Sequence, residues 1–283
     1  MTISRASLVE QFIRLWKQPP AAGAIHPYPR LRNIILDIMA EGRRKNIVNL
    51  LLRVDVTILC QELDRLREAG LPRPTLTACI AQVFARTIDQ NRSLQAYRLG
   101  RRKMVVFDEV DLAMMVEREL DGHQLPIFHI IRAANHKGVD EIDQSLRHAK
   151  TAPLGCHGPL SRLEHCFFTL PTFLRRLVWW YIRRDPYLFK EVAGTVGVTS
   201  VGMHINGPAV GLPITPMSLT LSIGSLERTW QLEQNQLVRR QFILLNLGAD
   251  HDVIDGGPLV RFCERFRFIL ESGAPLVENL QEE

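Results

Sequence analysis

The stretch Asp250-His251-Asp252-Val253-Ile254-Asp255-Gly256-Gly257 decides how the rest of the chain is read. Ahead of it runs Phe242-Ile243-Leu244-Leu245-Asn246-Leu247, an apolar segment of the length of a buried strand. Behind it, Leu259, Phe262, Cys263 and Phe266 fall on one helical face. His251 is therefore expected where a strand ends, and Asp255, 255 − 251 = 4 residues on, where a helix begins. An imidazole at a strand end near a carboxylate is suited to general-base work. Gly256 and Gly257 would let the backbone turn tightly and keep the space beside the histidine open. A purely structural histidine with a helix-capping aspartate is the bland alternative.

Outward from that stretch, helical and extended patterns alternate. Ser7 to Lys17 reads as a short helix stopped by Gln18-Pro19-Pro20. Leu31, Ile34, Ile35, Ile38 and Met39 share a second helical face. Ile47 to Val56 reads as a strand, and Thr57 can cap a helix whose inner face includes Leu59, Leu63 and Leu66. Thr75 to Ile88 and Val139 to Ala149 are further helices. Lys103 to Phe107 and Val110 to Val116 are expected as strands flanking a compact Asp108-Glu109 turn. Leu125 to Ile131, Gly194 to Gly202 and Ser218 to Gly224 are also strand-like. The pattern predicts a mixed α/β sandwich, with helices on one or both faces of a largely non-local sheet.

The order Asp-His-x-x-x-Asp-Gly, after an apolar strand and before a C-terminal helix, resembles the catalytic motif of the 2-oxoacid dehydrogenase dihydrolipoyl acyltransferase core. That family shares its fold with chloramphenicol acetyltransferase. The resemblance covers roughly 29–280, including Leu31-Arg32 through Met39, Val54-Asp55-Val56-Thr57, Glu109 through Ala113, and Pro126-Ile127. It implies a two-layer α/β (α+β) sandwich with a mixed sheet and flanking helices. It divides the chain into an N-terminal helix and linker, 1–28, and an acyltransferase-core-like domain, 29–283.

Gly194-Thr195-Val196-Gly197-Val198-Thr199-Ser200-Val201-Gly202-Met203 resembles the family segment that supplies a hydroxyl to the active site. Thr199 aligns with that hydroxyl, usually a serine, at 251 − 199 = 52 residues before the histidine, an interval of the length the family uses. Ser200 is the fallback, because a strand alternates faces and only one of the two can aim inward. A hydroxyl donor there would stabilise the oxyanion formed when a nucleophile attacks a thioester carbonyl. The resemblance further implies that Thr199 and His251 come from neighbouring subunits of a homotrimer. It also implies that Asp255 pairs with an arginine near the start of the core, for which Arg32 stands in the matching place. Without such a pair, Asp255 would cap the helix.

Composition is that of a globular protein, 46% hydrophobic and 23% charged, with a formal net charge of +5. The excess is mild and has no long basic run, which points to anionic small ligands and not to nucleic acid. Cysteines 60, 79, 156, 166 and 263 show no Cys-x-x-Cys spacing and read as buried thiols of a reducing compartment. The N-terminus carries no apolar signal core, so a cytoplasmic location is expected. The nine histidines form no metal-ligand pattern, and no glycine-rich phosphate loop is present, so no metal site is expected.

Three departures from the family pattern bear on function. The sequence shows no Asp-Lys-Ala swinging-arm motif and no room for a lipoyl domain ahead of the core. No cofactor is then expected to be bound permanently, and the acyl group would arrive on coenzyme A, on carrier-protein phosphopantetheine or on a separate lipoyl protein. Asp252 stands where the family usually has a basic residue, and near the imidazole it would favour the protonated form. The segment 160–190 is enlarged and rich in Leu, Arg and Trp, with Leu170, Phe173, Leu174, Leu177, Val178 and Tyr181 at helical spacing. Its arginines exclude a spanning helix. Core or interface packing, a lipid-like acyl pocket and membrane-surface contact remain open for it. The function expected is acyl transfer from a thioester to a thiol, hydroxyl or amine, with His251 as general base, Thr199 as oxyanion donor, and Asp255, Arg32 and Gly256 shaping the loop. The alternative is a non-catalytic trimeric scaffold or binding module of the same fold, with membrane-peripheral placement open.

Overall fold

A computed structural model describes residues 32–120, 123–151, 170–200, 205 and 207–274. Its centre is a six-stranded sheet in the order β1-β8-β7-β6-β4-β5. The strands are β1 (Ile47–Asp55), β4 (Leu112–Leu120), β5 (His123–Ile131), β6 (Val196–Ser200), β7 (Leu219–Glu233) and β8 (Gln236–Asp250). β6 runs parallel to both of its neighbours, and the other pairs are antiparallel. β2 (Tyr97–Leu99) and β3 (Lys103–Val105) form a separate two-stranded ribbon.

One face of the sheet carries the apolar set: Leu112 and Met114, Val196 and Val198, Leu219 and Leu221, Leu245 and Leu247. Against it lie α2 (Thr57–Glu68), α3 (Leu76–Asp89), α4 (Val139–Thr151) and α7 (Gly256–Ser272). α3 is buried almost all round, as a helix that is apolar on every side must be. It meets α7 through Phe84, whose ring stands edge-on to Phe262 at 5.9 Å and to Phe266 at 5.8 Å. Thr75 caps α3 by accepting from the Ala78 N–H, and Asp143 on α4 binds both Thr75 N and Thr75 Oγ1. The mixed sheet with helices packed on it is the architecture expected from the alternating pattern.

The other face is polar in its middle, with Thr199, Thr220, Ser222, Asn246 and Asn49 at alternate positions. The segment 207–217 crosses part of it. At Gly224 a Cβ would stand 2.4 Å from the Ala209 carbonyl oxygen, so only glycine admits that crossing. A second cluster, Tyr97, Phe107, Trp179, Ile182 and Phe189, joins the β2–β3 ribbon to α5 (Thr172–Ile182) and α6 (Pro186–Ala193).

Three expectations change. Lys103 to Phe107 does not form a hairpin with Val110 to Val116; β3 pairs back with β2, and β4 pairs with β5. The reason is local: Val110 N donates to Asn135 Oδ1, and the Asp111 carboxylate takes Ala133 N and Arg132, so the chain at 110–111 is tied to the end of β5. β7 and β8 run 15 residues each, well past the apolar runs, into a hairpin turned at Gln234 and Asn235, both with positive φ. Gly256 and Gly257 are the first two residues of α7, not a tight turn, and neither has positive φ. The predicted helix at Ser7 to Lys17 lies outside the described residues.

Candidate active site

β8 delivers His251 to its place. Its last residue, Asp250, is bound to Ser218 O through its backbone N–H, and His251 N donates to Asn46 O at 2.9 Å. The Asp250 carbonyl then accepts from Val253 N and Ile254 N, which rolls the chain into a compact loop. The Asp250 carboxylate is 1% exposed; Lys45 Nζ donates to its Oδ2 at 2.7 Å and Asp252 N to its Oδ1 at 3.2 Å. Lys45 also lies over the Tyr97 ring, 5.5 Å from its centroid. Tyr97 OH donates to Thr195 O and accepts from Ser218 N, which ties the histidine loop to the start of β6. Burial above all pushes the Tyr97 phenol up, so it stays protonated and keeps donating.

The His251 side chain is exposed and has no hydrogen-bond or ion-pair partner among the described residues. Asp252 is engaged elsewhere: Oδ1 accepts from Asn46 Nδ2 at 2.9 Å, and Oδ2 lies 3.7 Å from Arg98. The Asp252 carboxylate is thus turned to Asn46 and Arg98 and makes no contact with the imidazole among the described residues.

Asp255 takes the N-cap position of α7 with extended backbone, φ −78° and ψ 158°, but its side chain makes no capping hydrogen bond. Arg32 opens α1 (Arg32–Gly42), exposed, and among the described residues no ion pair joins it to Asp255. Among the described residues, then, the Asp255 carboxylate makes neither the capping bond nor the ion pair expected of it. The pair that anchors the loop is Lys45–Asp250, which sequence reasoning missed. Its signal was Asp250 itself, polar at the end of an apolar strand. A Cβ on Gly256 would meet nothing within 4 Å, so the space beside the loop is open there.

Thr199 is 8% exposed and lies on the sheet face away from the helices, since Val196 and Val198 take the core side. Ser200, next along the strand, falls on the other side. Thr199 stands in register with Ser222 on β7, and Ser222 with Asn246 on β8. This polar row was not read from the sequence. Among the described residues, the buried Ser222 Oγ and Asn246 Oδ1 have no hydrogen-bond partner, and Thr199 Oγ1 makes no hydrogen bond. Asn246 Nδ2 is held by Asn49 Oδ1 at 3.1 Å.

Thr199 and His251 do not meet within one chain. His251 lies 251 − 246 = 5 residues beyond the row and two strands across from β6. At roughly 3.3 Å per residue and 4.8 Å per strand, that separates them by about 19 Å. The described cysteines are remote from this chemistry. Burial pushes the thiols of Cys79 and Cys263 up to about 12 and that of Cys60 to about 11, so all three stay protonated.

Residues 191–277 match the family model of the 2-oxoacid dehydrogenases acyltransferase (catalytic domain), a span that holds Thr199, His251 and Asp255. A sequence search of curated proteins found no match. Among solved structures, the chain is similar to a probable dihydrolipoamide acetyltransferase from Listeria monocytogenes 4b F2365, at 16% identity and a TM-score of 0.64. The match covers 89% of this chain and 95% of that one. It is similar to a truncated catalytic core of the 2-oxoacid dehydrogenase multienzyme complex from Thermoplasma acidophilum, at 21% identity and a TM-score of 0.62, covering 89% and 99%. It is also similar to the dihydrolipoamide acetyltransferase of Azotobacter vinelandii, at 15% identity and a TM-score of 0.64, covering 92% and 98%. For that enzyme a serine, a histidine and an asparagine, spaced 52 and 4 positions apart, were investigated for their role in the catalytic mechanism. These likenesses show the fold.

Proposed function

We propose that this chain, which carries the catalytic-domain segment of the 2-oxoacid dehydrogenase acyltransferases on their fold, transfers an acyl group from a thioester at a site built from two copies of itself. The single observation that carries the reading is spacing. Thr199, His251 and Asp255 are separated by 52 and 4 residues, the two intervals that separate the serine, histidine and asparagine of the Azotobacter enzyme.

The chemistry follows from where each group sits. His251, exposed at the strand end, takes the proton from an acceptor thiol, hydroxyl or amine as it attacks the acyl carbonyl. Thr199 donates its hydroxyl hydrogen to the carbonyl oxygen as negative charge gathers there. Collapse of the tetrahedral species expels the thiolate of the carrier, and the imidazolium returns the proton to it. The acyl donor is coenzyme A or a carrier-bound phosphopantetheine. Asp255, with no side-chain partner among the described residues, is available to meet a group from a neighbouring copy or from the substrate. Because about 19 Å separates Thr199 from His251 within a chain, the site is completed by the Thr199 of a second copy, in a homotrimer or larger closed assembly.

A screen of acyl-coenzyme A compounds for thiol release, run with acceptor pools, identifies a substrate pair. On that pair His251→Ala is expected to lower kcat about 10²–10⁴-fold, and Thr199→Ala about 10²–10³-fold. Turnover unchanged in the His251 variant removes the reading.

A further inference from the structure

α5 is built inside out. Its inward stripe, Arg175, Val178, Trp179 and Ile182, includes a charged residue: Arg175 is 5% exposed and donates from Nε to Asp37 Oδ2 of α1 at 2.7 Å and from Nη1 to Leu170 O. Its outward stripe is apolar and aromatic. Phe173 is 69% exposed, Leu177 59%, Trp180 41% and Tyr181 61%. These positions follow i, i+4, i+7 and i+8 and form one continuous band. A helix meant to face water would place an arginine outward and a phenylalanine inward, because burying the guanidinium costs several kcal/mol before its pairing is counted.

The charge around the band has one sign. No Asp or Glu occurs from 170 to 184, while Arg176, Arg183 and Arg184 lie among or beside the aromatics. Arg183 is paired with Glu41, Arg184 lies over the Trp180 ring at 3.7 Å, and Arg176 has no ion-pair partner among the described residues. Aromatic residues with an apolar body and a polar edge, interleaved with cations, match the boundary between lipid headgroups and acyl chains. The helix spans 11 residues, and among the described residues no helix is long and apolar enough to cross a membrane. Against a bilayer it can lie only along the surface.

We propose that the outer face of α5 is a docking site for an anionic lipid surface. Phe173, Leu177, Trp180 and Tyr181 enter the headgroup layer, and Arg176 and Arg184 contact lipid phosphates. The Arg175–Asp37 pair fixes the rotation of the helix so that this band stays outward.

The test is co-sedimentation of the full chain with vesicles of phosphatidylcholine containing an equal part of phosphatidylglycerol, and with phosphatidylcholine alone. The first should pellet the protein in a salt-sensitive manner, and the second should pellet much less. Leu177→Glu and Arg176→Gln should each weaken binding to the anionic vesicles about tenfold. Both positions are exposed, and unchanged far-UV circular dichroism checks that the variants fold. Absence of pelleting with both vesicles, or pelleting undiminished in Leu177→Glu, overturns the proposal. So does a concentration-dependent association without vesicles that disappears in Leu177→Glu, since the face would then belong to a second copy. Thioester turnover in vesicle-free buffer should be the same for Leu177→Glu and the wild type, which separates failure here from failure of the acyl-transfer reading.

Discussion

Lys45 and Asp250 hold the histidine loop, and they show how a buried pair can set the geometry of an exposed side chain next to it. The Asp250 carboxylate is buried, and Lys45 meets it directly. Lys45→Met leaves that carboxylate without its cation, so urea unfolding should show a loss of about 3–5 kcal/mol, the usual scale for breaking one side of a buried pair. Lys45→Met with Asp250→Asn should recover part of it, because no unpaired charge is left. Asp143 offers a pH-dependent counterpart. Burial raises its pKa, but the hydrogen bonds from Arg147 and Thr75 outweigh that and hold the carboxyl below its ordinary 3.8. A carboxylate held low in the folded state stabilises it above the unfolded value, and the gain fades as pH falls through that range. Asp143→Asn should therefore cost about 1–2 kcal/mol at neutral pH, and the deficit against wild type should close below pH 3.8. At this scale the sequence marked Thr199, His251 and Asp255 as candidates by their spacing. It was not legible for Lys45 or for the Ser222–Asn246 row, because nothing local distinguishes a lysine that meets a residue 205 positions away.

Elements were legible in proportion to how much of them is buried. Ser218 to Gly224 and Phe242 to Leu247 marked only the inner halves of β7 and β8. The outer halves alternate Arg, Thr, Gln and Glu with single apolar residues, such as Arg228-Thr229-Trp230-Gln231-Leu232-Glu233, because that part of the hairpin leaves the core. The apolar spacing of 170–181 announced α5 correctly, but its inward face could not be inferred, since periodicity ranks an arginine outward. The Arg175–Asp37 contact between α1 and α5 reverses that ranking. Arg175→Ala strands Asp37 in a buried site, and thermal or urea unfolding should show a loss of about 3–5 kcal/mol. Arg176→Ala, one residue along and exposed, should change stability by less than about 0.5 kcal/mol.

At the scale of the whole molecule, helices cover one face of the sheet and leave a polar row on the other. The strand order β1-β8-β7-β6-β4-β5 sets β7 between the histidine strand and the threonine strand. No movement of a side chain closes a gap of about 19 Å, so the proposed site, which uses both groups, needs a second copy. That requirement could not be read from composition or periodicity. It follows from the sheet order, which joins residues far apart in sequence.

Mixing two inactive variants tests the shared site most directly. His251→Ala and Thr199→Ala chains, co-expressed with different affinity tags and purified through both, form hybrid oligomers. If each site takes its histidine from one chain and its hydroxyl from the next, one interface in three of every doubly tagged trimer holds an intact pair, and turnover should return to about a third of the wild-type value. Hybrids as inactive as either parent would place both groups in one chain, and would contradict the account.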